Sequence, residues 1–107
     1  MNDKESELWK IVDIVVGCCA TDVGNGKMSV TSADVLGPSR SENVVMTRCI
    51  LVEQILGAGY SVTTAALLLK RSVQAVRHMR EMGENYRRSS RAYRVADAQA
   101  TLLCRDM

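Results

Sequence analysis

The residues best suited to chemistry in this sequence lie between Lys70 and Arg94. Gln74, Arg77 and His78 fall at i, i+3 and i+4, so on a helix they share one face. A Gln amide and an Arg guanidinium each present two hydrogen-bonding points in one plane. That geometry matches nucleobase edges, Gln to adenine and Arg to guanine, at about 1–3 kcal/mol of discrimination per pair. Lys70, Arg71 and Arg80 place positive charge beside that face, where they would hold phosphates and fix register without reading sequence. Ser72 is placed to cap a helix and to offer its hydroxyl to a phosphate. A lone histidine is more often a satisfied structural residue than a base reader, so His78 is the weakest of the three readers.

The charge distribution points the same way. The 107 residues carry a formal net charge of only +2. Residues 70–94 sum to +6, whereas residues 1–69 sum to −3. One dense basic block in a nearly neutral chain suggests a polyanion footprint. Its structural counterpart is an ordinary solvated Arg-rich helix.

Other classes find little support. The single histidine has no evident nucleophile partner, and no paired carboxylates or metal-ligating cluster stand out, so neither an enzyme nor a cofactor is expected. Cys18, Cys19, Cys49 and Cys104 match no zinc spacing and read as small buried hydrophobes. The apolar run near Ile14–Ala20 is far short of the ~20 residues that span a bilayer. Asp3, Glu5 and Glu7 precede Trp9 where a signal peptide would be basic, so a cytoplasmic location is expected.

The elements that must position these residues are all helical. The expected fold is all-α, one domain over 1–107, a small bundle of about five to six helices. Leu8, Ile11, Val12, Val15 and Cys19 predict a first helix over 4–20, closed by the turn signal Gly24-Asn25-Gly26. Thr31 with Asp34 forms a capping-box pattern for a short helix ended by Gly37-Pro38. Ser41 can cap a central buried helix over 42–57, with Val45, Cys49, Val52, Ile55 and Leu56 inward and Asn43, Thr47, Arg48 and Gln54 on its polar side.

The segment 61–84 reads as a helix-turn-helix. Ser61 or Thr63 caps the first helix, and Ser72 caps the second. Ala65 and Ala66 permit a close crossing, and Val73, Val76 and Met79 anchor the second helix inward. That second helix either breaks at Gly83 or runs past it. A last helix over 90–104 buries Tyr93, Ala96, Ala100, Leu103 and in part Cys104. Leu102, Leu103 and Tyr93 serve either a homodimer contact or closure of the monomer core, with core closure favoured.

The stretch Met28–Arg48, MSVTSADVLGPSRSENVVMTR, resembles the C-terminal DNA-binding domain of the bacterial replication initiator DnaA. There too, a short helix ending in Leu-Gly precedes a Ser-Arg loop and a long helix. The order of elements agrees to about Tyr86. The resemblance implies a Trp-repressor-like helical fold, a double-stranded DNA partner and a bacterial, nucleoid-associated setting. It gives Arg40 the role of a loop arginine in the minor groove and Arg48 that of a phosphate contact. Arg71 and His78 match the first arginine of the family signature Arg-Asp-His-Thr-Thr and the histidine that follows it. Independently, a lone arginine in a Pro/Ser loop suits a narrow, negative minor groove. The plainer alternative for Arg40 is a solvated loop side chain.

Departures from the family are specific. Ser72-Val73-Gln74-Ala75 replaces Asp-His-Thr-Thr, Lys70 replaces a Gly-Gly, and Glu42 stands where the loop is usually basic. The family's own target sequence is therefore not implied. No P-loop motif occurs, which excludes an ATP-driven initiator within this sequence. The expected activity is sequence-specific duplex binding in replication or transcription control, with ligand-controlled repression as a variant. The rival reading is a protein-interaction module using 87–94 (RRSSRAYR) and the last helix.

Overall fold

Serine and threonine caps punctuate the chain, and the helices follow from them. A computed structural model describes residues 3–20 and 30–107. The expected turn at Gly24-Asn25-Gly26 and the first two residues of the Met28–Arg48 stretch lie outside the described residues. The described elements are α1 (Asp3–Ala20), α2 (Ser32–Leu36), α3 (Glu42–Gly57), α4 (Val62–Leu69), α5 (Val73–Ser89) and α6 (Arg91–Arg105). Among the described residues the fold is all-α, a bundle of six helices, in agreement with the sequence reading.

Four starts have a local cause in a capping side chain. Thr31 and Asp34 form the expected capping box: Thr31 Oγ1 accepts from Asp34 N at 3.1 Å, and Asp34 Oδ2 from Thr31 N at 3.0 Å. Ser61 rather than Thr63 caps α4, accepting from Thr64 N at 3.1 Å. Ser72 caps α5, accepting from Ala75 N at 3.0 Å. Ser90 ends α5 and starts α6: its N–H donates to Tyr86 O at 2.7 Å, and its hydroxyl accepts from Tyr93 N at 3.1 Å. Ser41 departs from expectation. It sits at the N-cap of α3, but its side chain makes no capping bond there.

Helix α3 is the centre, packing against all five other helices. It is buried nearly all round through Val44, Met46, Cys49, Ile50, Leu51, Val52 and Ile55. A helix apolar on every side can be satisfied only inside the bundle. Two residues assigned to its polar side, Thr47 and Arg48, are also buried. Thr47 meets its polar need within the helix, donating from Oγ1 to Asn43 O at 2.7 Å.

Around α3, α1 contributes Ile11, Val12, Val15 and Cys19 as expected, with Leu8 half-buried. Leu69 closes α4 in full burial, worth about 1.5–3 kcal/mol by transfer. Gln54 Nε2 donates to Thr101 Oγ1 at 2.9 Å and ties α3 to α6. Tyr60 Oη donates to Glu7 Oε1 at 2.8 Å and ties the end of α3 to α1.

Helix α5 runs unbroken through Gly83. The glycine is buried because α6 leaves no room: a Cβ there would lie 2.8 Å from Tyr93 Oη. Tyr93 stacks on Tyr86, with ring centroids 5.6 Å apart, and locks the α5–α6 corner. Leu103, expected in the core, is instead exposed, as is Leu102. Tyr93, Ala96 and Ala100 do the burying, and the two alanines leave α6 room to approach its neighbours closely. Cys18, Cys19 and Cys49 are buried and Cys104 is half-buried, all four as free thiols. Among the described residues no helix is long and apolar enough to cross a membrane, and no cluster could hold a metal ion.

Candidate nucleic-acid interface

The turn between α4 and α5 carries the first of the candidate residues. Lys70 closes α4 in the left-handed conformation, with φ 56° and ψ 43°. This is a glycine-favoured position that costs an L-residue about 1 kcal/mol. The left-handed residue reverses the chain within three positions, so Ser72 caps α5 at once. The Lys70 side chain is left exposed.

On α5 the burial pattern sets what faces outward. Val76 and Gly83 are buried, and Val73, Met79, Met82 and Tyr86 are half-buried. The opposite face therefore carries Gln74, Arg77 and His78, all exposed. His78 Nδ1 lies 3.8 Å from Glu81 Oε2, one turn along the helix. Farther on, Glu81 and Glu84 make the face mixed in sign, so its positive character is confined to the first two turns of α5. The expected end of the helix-turn-helix at 84 is no boundary, because α5 continues to Ser89.

Arg80 does not share that face. It turns toward α3, with Nε 3.9 Å from Glu53 Oε1. Both side chains stay partly exposed, so the pair is weak and leaves Arg80 able to reach a phosphate at the edge of the surface.

Arg48 overturns its expected role. It is 4% exposed, and its guanidinium is committed to backbone carbonyls. Nε donates to Val35 O at 2.8 Å, and Nη1 to Ser39 O at 2.6 Å. Nη2 donates to Asp34 O at 3.0 Å and to Gly37 O at 2.8 Å. These are carbonyls at the end of α2 and in the following loop; Asp34 O also accepts from Gly37 N at 3.3 Å, and a buried cation satisfies the set well. Burial holds the Arg48 pKa below its ordinary value, and the nearby positive Arg71 adds to the effect. An arginine so enclosed has no path to a phosphate, and the phosphate contact assigned to Arg48 is withdrawn.

Arg71 is half-buried and shares this duty. Its Nη2 donates to Gly37 O at 2.7 Å and its Nη1 to Leu69 O at 3.2 Å. Two guanidiniums thus converge on the Gly37 carbonyl. They pin the α2–α3 loop against the α4–α5 turn, so the loop bearing exposed Arg40 sits at the same end of the molecule as Ser72. Arg71 acts first as a clamp, and only its remaining exposed N–H groups are open to an anion.

Sequence reasoning missed this clamp. Its acceptors are backbone carbonyls, which carry no residue signature. One signal was present: the Gly37-Pro38-Ser39 break after α2, upstream of both arginines, ends a helix whose last carbonyls need donors from elsewhere.

The basic segment 87–94 is partly spent internally. Arg87 Nε lies 3.4 Å from Asp97 Oδ2, and Arg94 Nη1 donates to the carbonyls of Arg87 and Arg88 at 3.0 and 3.4 Å. Among the described residues, Arg88 and Arg91 are the arginines of that run whose side chains make no hydrogen bond or ion pair. In comparisons with known protein families, curated proteins and solved structures, this chain has no match.

Proposed function

We propose that this protein binds double-stranded DNA, with α4 and α5 forming a helix-turn-helix. The start of α5 lies in the major groove and the Arg40 loop in the adjacent minor groove. The observation that carries this reading is the outward face of the first two turns of α5. Gln74, Arg77 and His78 are exposed on one side of a capped helix, and Lys70 and Ser72 flank its start. None of Gln74, Arg77 or Lys70 is needed to hold the fold, so their charge and hydrogen-bonding capacity are available to a ligand.

Gln74 and Arg77 read base edges, with His78 beside them. Lys70, Ser72 and the edge residue Arg80 meet phosphates, with Arg71 contributing from its exposed side. The positive end of the α5 dipole favours an anion at that end as well. Arg40 rests on its loop being pinned beside this turn by Arg48 and Arg71. The process served is control of replication or transcription, and no catalytic step or cofactor is involved.

An interaction module built on 87–94 is the weaker reading, because Arg87 and Arg94 already serve the fold. Selection of bound duplexes from a random pool tests the proposal. A defined motif is expected for the wild type, with relaxed preference at one position in Arg77→Ala. Recovery of no motif together with retention of no duplex would overturn it.

A further inference from the structure

Helix α6 buries one side only. Tyr93, Ala96 and Ala100 face the core, whereas Val95, Leu102 and Leu103 are exposed at 46%, 61% and 51%. Val95, Gln99, Leu102 and Asp106 follow at steps of four, three and four residues, the spacing that keeps one edge of a helix facing another helix. Beside this edge lies a groove of about 450 Å³ between α1 and α6, lined by Ile14, Gly17, Gln99, Leu102 and Leu103.

We propose that a second copy of this chain covers this face, with the two α6 helices antiparallel about a two-fold axis near Gln99. The face supplies both a ridge, Leu102 and Leu103, and a groove, Ile14 and Gly17, as a self-complementary interface requires. Charge selects the occupant and its direction. Exposed Arg91 stands at the start of α6, and exposed Asp106 at its end. Antiparallel pairing about Gln99 sets Val95 against Leu103 of the second copy and brings Arg91 to Asp106 at both ends of the contact. Parallel pairing would set Arg91 against Arg91. Arg105 does not oppose this arrangement, because it lines a different cleft, shared with Glu53 and Arg87. The pairing is independent of duplex binding and is measured without DNA.

Sedimentation equilibrium of the full chain across a concentration series provides the test. The wild type is expected to approach twice the mass of one chain. Leu102→Glu is expected to weaken association by at least about 10-fold, with an unchanged helical circular dichroism spectrum. Arg91→Asp and Asp106→Arg should each weaken it, and the double exchange should restore it. These two positions lie on the surface, so the exchange decides the matter even where Leu102→Glu perturbs folding. A single-chain mass at millimolar concentration would overturn the proposal. So would a dimer indifferent to the charge exchanges.

Discussion

Replacing Arg48 by Met keeps a long unbranched side chain in place but removes the guanidinium. Four hydrogen bonds are lost, to Val35, Ser39, Asp34 and Gly37 carbonyls. Bonds from a charged donor contribute about 1.5–3 kcal/mol each when taken singly, and they do not add. Part of the loss is offset because a buried cation no longer has to be desolvated. The carbonyls left behind lie at the end of α2 and in the loop after it, and water can recover some of them. Gly37 O also keeps its bond from Arg71 at 2.7 Å. These considerations place the cost at about 3–5 kcal/mol. A domain of this size has about 5–15 kcal/mol in all, so the variant should lose roughly 15–25 °C in Tm. Urea unfolding followed by circular dichroism measures the change. Arg77→Ala is the control, expected within about 0.5 kcal/mol of wild type because Arg77 is exposed and unpaired. An Arg48→Met protein that keeps wild-type stability yet loses duplex affinity would refute the clamp and reinstate the phosphate contact.

Four further outcomes follow from the same geometry. Lys70→Gly relieves the left-handed residue at φ 56° and should stabilise the fold by roughly 0.5–1 kcal/mol while weakening duplex binding, a split read by urea unfolding and fluorescence anisotropy. Gly83→Ala drives a methyl to 2.8 Å from Tyr93 Oη and should cost about 1–3 kcal/mol despite the better helix former. Tyr93→Phe removes a buried hydroxyl that has no hydrogen-bond partner, so it should be neutral or stabilising and should rescue Gly83→Ala in the double variant. Burial pushes the Cys49 thiol up to about 12, so the native state keeps a proton that the unfolded chain releases above about pH 9. Stability is therefore present below that pH and lost progressively as pH rises toward 12, and Cys49→Ala should flatten this alkaline decline in thermal melts.

The helices were legible because their signals are local. Thr31 with Asp34, Ser61, Ser72 and Ser90 each cap a helix with their own side chain, and the apolar periodicity of α1 and α5 tells the buried face from the exposed one. What was not legible depends on distant partners. Arg48 reads as a solvent-facing cation because its acceptors are carbonyls 9 to 14 residues upstream. Leu103 reads as core because nothing local tells whether α6 approaches its neighbours through leucines or through Ala96 and Ala100. Gly83 leaves break and continuation equally open until Tyr93 is seen to need the space. In the candidate interface, Gln74, Arg77, His78, Lys70, Ser72 and Arg40 stand at the surface as the spacing suggests. Arg80 is turned aside by Glu53, and Arg71 is half engaged by the clamp.

Fluorescence anisotropy of a labelled duplex, titrated with protein across a salt series, tests nucleic-acid binding most directly. Lys70, Arg80 and the exposed side of Arg71 predict a log–log slope of affinity against salt of about −2 or steeper, with Lys70→Ala reducing it by about one. Arg77→Ala should weaken binding to the selected sequence by roughly 5- to 150-fold. Binding that ignores salt, or that is unchanged in both variants, would contradict the account.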